Sequence, residues 1–268
     1  MYRTDEKPQL YRWNIFDKYS HAVNIGISSR SGGISSPPFN SFNQALHCGD
    51  KTESVIENRM ILCRSQDIPF GDYTCAEQKH SANILIVDEN DRGAGRNDYN
   101  KSISNTDALI VRNSNIMINI HLADCVPIAI YDYKNNTGAL IHAGWKGTAQ
   151  LIALKTVEFM KRELGSHQEN LIAGIGPSIS SCCFEIGEDT AGTLNDCFDY
   201  STKVIRKDGN KYRADLKEAN KEQLISTGIE AANIETSQIC TSCSHNQFYS
   251  YRVDGGKTGR FSAFFTIL

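Results

Sequence analysis

The sequence predicts a mixed α+β sandwich. Two observations lead there: short apolar runs bounded by polar or turn residues outnumber the helical patterns, and the two kinds of segment do not alternate strictly. Strict alternation would have indicated a doubly wound parallel sheet. Neither GxGxxG nor GxxxxGKS/T opens a helix after a strand, so a dinucleotide-binding or P-loop protein is also excluded.

Residues 21–28 alternate and are β-branched enough to form a strand, and Arg30-Ser31-Gly32-Gly33 then reads as a tight loop that Pro37-Pro38 prolongs. Thr52 or Ser54 caps a helix running to about Ser65, with Val55, Ile56, Met60 and Leu62 on its inner side and Asn58 and Arg59 on the same helix. The runs 84–87, 108–111, 116–121, 127–131 and 138–142 predict buried strands. Gly144-Trp145-Lys146-Gly147 closes the last of them. Thr148 then opens a helix in which Leu151, Leu154, Val157, Met160 and Leu164 recur at helical spacing. Residues 171–175 form a strand ending at Gly176-Pro177. Asp215 with Glu218 makes a capping-box-like helix start, Gly228 suits that helix's end, and 260–268 is a terminal strand.

A chain of 268 residues with 40% hydrophobic content buries a sizeable core, and without an internal repeat it reads as one domain, 1–268. The 28 basic and 31 acidic residues nearly cancel, and no basic cluster interleaves with aromatics, so nucleic acid is not expected as a partner. A small ligand is expected instead, bound by a monomer or small homo-oligomer. The N-terminus is charged and lacks the apolar segment of a secretory signal. The most apolar stretch, 116–131, is interrupted by His121 and Asp124 and is shorter than the ~20 residues that span a bilayer. A cytoplasmic protein without a membrane segment is expected, and in that reducing setting the nine cysteines are free thiols or metal ligands.

His80, Cys125 and His142 fall at strand ends, where a rigid scaffold would carry a site. Two imidazoles and a thiolate are a zinc set, and three protein ligands leave the open fourth position that catalytic zinc requires. Their spacing has no geometric meaning until the fold joins them; buried structural His and Cys residues are the alternative. A nucleophilic Cys125 paired with His142 and oriented by Asp124 or another carboxylate uses the same residues without metal. Cys240-Thr241-Ser242-Cys243 with His245 has better local spacing for a structural zinc, but no second CxxC completes it, and the adjacent Cys182-Cys183 point apart on an extended backbone. Arg30, Arg59, Lys146, Arg252 and Arg260 stand beside turns or motif segments where an anion such as phosphate is held, or where charge is merely solvated.

As a set the motifs resemble a known family. Ser29-Arg30-Ser31-Gly32-Gly33, Pro38-Phe39-Asn40-Ser41-Phe42-Asn43, Asn58-Arg59, Gln78-Lys79-His80, Ala123-Asp124-Cys125-Val126-Pro127, His142-Ala143-Gly144-Trp145-Lys146-Gly147, Cys182-Cys183-Phe184-Glu185 and Tyr249-Ser250-Tyr251-Arg252 resemble the laccase-domain family. Its members carry names such as multicopper polyphenol oxidase, purine nucleoside phosphorylase and peptidoglycan editing factor. The resemblance covers the chain from about Asn24 to Leu268. It implies a layered α/β/β/α sandwich akin to the catalytic domain of cytotoxic necrotising factors, with zinc on His80, Cys125 and His142.

The resemblance further implies phosphorolysis of adenosine, inosine, guanosine and methylthioadenosine, and deamination of adenosine by a zinc-activated water at C6. Arg59 and Lys146, then Arg30, are the expected phosphate contacts, with Asn43 and Ser31 for ribose or base. Lys146 stands where the family usually has arginine, a point charge in place of a bidentate fork. Leu122 replaces a usual small polar residue. The HxE with PCxxC pattern of zinc deaminases is absent, and neither Asp124 nor Glu185 can be placed as the general base. Two other readings share these residues: an amidase-type hydrolase editing cell-wall precursors, and a copper-dependent polyphenol oxidase. The seven histidines undersupply a multicopper cluster, although one copper would also take the zinc ligands.

Overall fold

The computed structural model describes residues 1–4, 7–112, 114–198 and 203–268. The first half contributes β1 (Tyr2–Arg3), β2 (Leu10–Arg12), β3 (Val23–Ser28), α1 (Thr52–Ser65), β4 (Tyr73–Cys75), β5 (Ile84–Val87), β6 (Ala108–Val111), β7 (Met117–Leu122) and β8 (Val126–Asp132). The second half adds β9 (Thr137–Ala143), α2 (Trp145–Ala149), α3 (Ile152–Leu164), β10 (Leu171–Ile175), β11 (Glu185–Ile186), α4 (Glu188–Phe198), β12 (Ile205–Asp208), β13 (Lys211–Ala214), α5 (Leu216–Ser226), β14 (Ile234–Thr236) and β15 (Phe261–Ile267).

Two six-stranded sheets dominate, in the orders β1-β2-β3-β15-β7-β4 and β14-β10-β8-β9-β6-β5, beside a small sheet β11-β13-β12. Both are mixed: β4 runs parallel to β7, and β5 and β14 run parallel to β6 and β10. The period of two along each strand divides the core. Leu109 and Val111 of the second sheet meet Ile118, Ile120, Ala263 and Phe265 of the first in one buried cluster. Ala108 and Ile110 face the other way, onto Ile152, Val157 and Met160 of α3 and Leu216 and Leu224 of α5. On the far side of the first sheet, Phe264 and Met117 pack on Leu62 and Cys63 of α1. The order is therefore helix, sheet, sheet, helices. Close sheet contact depends on Gly138, where a Cβ would lie 2.1 Å from the Phe265 ring. Among the described residues no helix is long and apolar enough to cross a membrane.

The strands expected at 84–87, 108–111 and 171–175 form at those bounds, those expected at 127–131 and 138–142 are longer by one residue at each end, and that expected at 116–121 is shifted by one. Two helices differ. α1 spans the expected residues, but it buries Asn58 and Arg59 with Val55 and Leu62, while Ile56 and Met60 stay half-exposed. A polar demand turns the helix: Asn58 donates to Ser35 Oγ, Ser41 O and Asn43 O, pinning the loop after β3. The helix expected from Thr148 is split, because Leu151 adopts φ 61° between α2 and α3. α5 starts as expected, with Asp215 accepting from the Glu218 N–H at 3.0 Å.

Candidate active site and metal centre

The chain passes between the two large sheets at one edge of the sandwich, and the site is built there. His80 lies in the crossover from β4 to β5, Cys125 in the short crossover from β7 to β8, and His142 on β9 beside β8, opposite Pro127. The donor atoms of His80, Cys125 and His142 lie within 4.8 Å of one another, and the two imidazoles meet edge to face with centroids 4.8 Å apart. Gly144 makes room for them: a Cβ there would sit 2.4 Å from His80 Nδ1 and 3.2 Å from Cys125 Sγ. The three residues expected to share a site are thus brought together. Their donor set, two nitrogens and one thiolate sulfur, fits zinc with one position left open.

Asp107, just before β6, organises this arrangement and was not foreseen. Its carboxylate accepts from the backbone N–H groups of Lys79, His80 and Ser81 and from the Ser81 hydroxyl. These bonds hold His80 in the left-handed region at φ 58°, a conformation that a non-glycine residue keeps only when its surroundings enforce it. Asp107 Oδ1 also lies 2.8 Å from His142 Nδ1, which directs Nε2 towards Cys125 in the carboxylate–histidine arrangement of metal sites. Only the pairing of β6 with β9, Ala108 opposite Ile141, brings the two residues together, so no local sequence pattern could have revealed the contact.

The electrostatics favour the ligand form of the thiol. Burial pushes Cys125 up, but the neighbouring His142 and His80 outweigh it and bring the thiol down to about 6. Burial likewise lowers His142, yet the Cys125 thiolate and Asp107 raise it to about 9. At neutral pH the metal-free pair is a thiolate facing an imidazolium. The orienting carboxylate is Asp107 and not Asp124. Asp124, at φ 86°, spends its oxygens on the Thr241 and Ser250 hydroxyls and the Arg252 N–H, tying the 241–252 segment to the crossover. Glu185 pairs with Lys211 on the surface.

His80, Cys125 and His142 line a cavity of about 560 Å³, a size suited to a small molecule. Lys146, Arg252 and Arg260 bring positive charge to its walls, and Trp145, Phe184 and Tyr251 bring aromatic faces. Asp124 is the only carboxylate lining the cavity among the described residues, and its oxygens are occupied. His47 and His121 also line it and join the site without a motif to announce them. Burial first, then Arg260 and Arg59, depresses His47 to about 4, and burial with Arg59 holds His121 well below its usual value. Both are neutral hydrogen-bonding groups at pH 7.

The expected phosphate and sugar contacts divide. Lys146 lines the cavity, its ammonium 5.6 Å from the Trp145 ring. Arg59 does not line it: the guanidinium is buried, bonded to Gln44 O, Gly95 O and Arg96 O, and stacked on Tyr73. Its place is behind His121, with Nη2 3.5 Å from Nε2. Arg30 is held by Asn40 O and His245 O over the Tyr249 ring. Asn43 is fully buried, bonding Ala45 and Asp50 and accepting from the Arg260 N–H, so it acts through Arg260. Ser31 sits in an exposed turn closed by Ser29 Oγ. Arg59, Arg30, Asn43 and Ser31 are therefore not among the residues that line this cavity: the polar side chains of Arg59, Arg30 and Asn43 are engaged within the fold, Ser31 stands in its exposed turn, and Arg252 and Arg260 line the cavity beside Lys146.

Comparison with known proteins agrees with this architecture. The crystal structure of Bacillus licheniformis YfiH matches with a TM-score of 0.95 at 33% identity, over 99% of both chains. The purine nucleoside phosphorylase YlmD of Bacillus subtilis is 32% identical, over 94% of this chain and 91% of its own. The adenosine deaminase RL5 of an unknown prokaryotic organism is 33% identical, over 83% of this chain and 85% of its own. A family described as multi-copper polyphenol oxidoreductase laccase matches residues 24–268. With a two-sheet scaffold shared along its whole length and a His-Cys-His centre at the sheet junction, this chain belongs to the multi-copper polyphenol oxidoreductase laccase family.

Proposed function

We propose that the chain, working as one domain, is a zinc-dependent purine nucleoside phosphorylase that also deaminates adenosine. The observation that carries this reading is the meeting of His80, Cys125 and His142 in a cavity whose walls are cationic and aromatic. Relatives named purine nucleoside phosphorylase and adenosine deaminase support it. A zinc ion on the three ligands would supply a Lewis acid with an open position.

The chain's own groups do the rest. Lys146, Arg252 and Arg260 attract a phosphate dianion and turn one of its oxygens towards C1′ of the ribose. That oxygen forms the new bond to C1′ as the C1′–N9 bond breaks, and its electron pair leaves with the purine. The proton carried by the hydrogen phosphate dianion ends on the departing purine, giving ribose 1-phosphate and the neutral base, for which Trp145, Phe184 and Tyr251 offer stacking faces. Neutral His47 and His121 are left to hydrogen-bond the nucleoside and add no charge to hold the phosphate. Arg252 is exposed like Lys146 but lines the cavity from a fixed place, tethered by Cys183 O and Glu185 O, so its charge reaches the phosphate from a set direction.

A second reading rests on one observation. The Cys125–His142–Asp107 line, with its lowered thiol, also suits a thiolate nucleophile for amide hydrolysis. Purified enzyme with inosine or adenosine separates the two. Phosphate-dependent release of base with formation of ribose 1-phosphate, lost in Cys125→Ala, is the expected result. Zinc-loaded protein that releases no base, with or without phosphate, would contradict the phosphorylase reading and favour the amidase.

A further inference from the structure

A second group of thiols lies beside the cavity. The sulfurs of Cys182, Cys183, Cys240 and Cys243 are within 4.8 Å of one another. Sγ separations are 3.7 Å for Cys182–Cys183, 3.7 Å for Cys182–Cys243 and 3.4 Å for Cys183–Cys243. Four thiolates at ~2.3 Å from a tetrahedral zinc stand about 3.8 Å apart. The group is thus close to the spacing of a closed tetrathiolate site.

The local structure explains how adjacent cysteines share one centre. On an extended strand Cys182 and Cys183 would diverge, but here the N–H groups of Cys183 and Phe184 both donate to Ser180 O at 2.9 Å, and the turn brings both sulfurs towards Cys243. Cys240 and Cys243 sit in a second turn, closed by the Ser244 N–H on Cys240 O. The two turns are joined by the bridge of Ser178 with Cys240 and by the Ser180 N–H on Cys240 Sγ at 3.4 Å. A backbone N–H directed at sulfur is the outer support that metal thiolates use. A zinc with four thiolates carries two negative charges, and two guanidiniums stand against them: Arg213 on Cys182 O at 2.7 Å and Arg252 on Cys183 O at 3.3 Å. His245, next to the CxxC, is turned away towards Ser242 O.

We propose that Cys182, Cys183, Cys240 and Cys243 form a second, structural zinc site that clamps the 180–185 and 240–252 segments together. Four protein ligands leave no open position, so the site braces and does not catalyse. The braced segments supply Phe184 and Arg252 to the cavity wall. The clamp therefore fixes one side of the substrate site without touching the His80–Cys125–His142 centre, and it stands whether or not the phosphorylase reading does.

Metal analysis of protein purified under reducing conditions from zinc-supplemented cells tests this. The deciding quantity is the difference between wild type and Cys243→Ser, expected to be about one zinc per chain, with the other zinc lost separately in Cys125→Ala. Because Cys243→Ser threatens folding, a second measurement uses protein with all nine cysteines intact or lacking only Cys125. Exposed Cys182 and Cys243 should react with a chromogenic thiol reagent only after a chelator is added, and cobalt-loaded Cys125→Ala should show the thiolate-to-cobalt absorption of a sulfur-only site. Equal zinc in wild type and a folded Cys243→Ser would overturn the proposal. So would immediate reaction of the exposed thiols without chelator, or an intact mass two hydrogens light from a Cys183–Cys243 disulfide.

Discussion

Two polar sets near the sheet junction are made of similar chemistry and differ in what they face. His80, Cys125 and His142, with Asp107 behind them, turn their donors towards one another in the lining of the cavity. Asn43, Asn58 and Arg59 have equally capable groups, but those groups bond backbone carbonyls and loop side chains. Both sets lie in the segments by which the family is recognised. Residue type and motif therefore do not separate chemistry from bracing. What separates them is whether the polar atoms still have a direction open to a ligand once the fold's own hydrogen bonds are made.

The two sets should differ most in their response to pH. In metal-free protein His142 is raised to about 9 and Cys125 lowered to about 6, so between these values zinc must displace the His142 proton while the thiolate is already formed. Zinc affinity at this centre should rise about tenfold per pH unit from 6 to 9, about 10³-fold in all, and level off above. Competition with a chromogenic chelator in Cys243→Ser protein measures it. A flat profile would mean that the imidazolium–thiolate pair is not what zinc meets.

Arg59→Ala tests the bracing set. It leaves Gln44 O, Gly95 O and Arg96 O buried without their donor and should cost about 3 kcal/mol in denaturant unfolding. Zinc content and KM for phosphate should stay at wild-type values in the folded fraction. A selective rise in that KM would return Arg59 to the phosphate site.

Asp107→Asn keeps the shape but weakens both the N–H cluster around His80 and the support of His142. Zinc affinity or turnover should fall by about 10–100-fold, the usual cost of losing an outer partner of a metal ligand. The smallest effect is expected at Lys146, exposed at the cavity. Lys146→Ala should raise KM for phosphate by about tenfold or less, since one screened charge is worth about 1 kcal/mol, while Lys146→Arg should leave it unchanged or lower it.

Much of the fold was legible because its strands read as continuous apolar runs: 108–111 and 171–175, buried throughout, and the half-buried edge strand 84–87 set their own bounds. The hairpin of β12 and β13 was not, since Ile205–Asp208 and Lys211–Ala214 are largely exposed and carry no apolar period. The three metal-competent residues were legible as chemistry at strand ends, and the family resemblance joined them. Asp107 was not, because it acts through a pairing between strands far apart in sequence. The turn that brings Cys182 and Cys183 to Cys243 was equally hidden, since it depends on Ser180 O and on a bridge to a segment sixty residues away. The burial of Arg59 was hidden for a different reason: an arginine on an amphipathic helix is expected at the surface, and only the carbonyls of distant loops explain its burial.

The proposed function rests on one zinc, held by His80, Cys125 and His142, on which turnover depends. Zinc content and phosphate-dependent base release, measured on the same preparations of wild type and Cys125→Ala, test it most directly. The expected result is a variant that folds, lacks about one zinc per chain relative to wild type and releases no base. A folded Cys125→Ala protein with unchanged zinc, or with wild-type turnover, would contradict it.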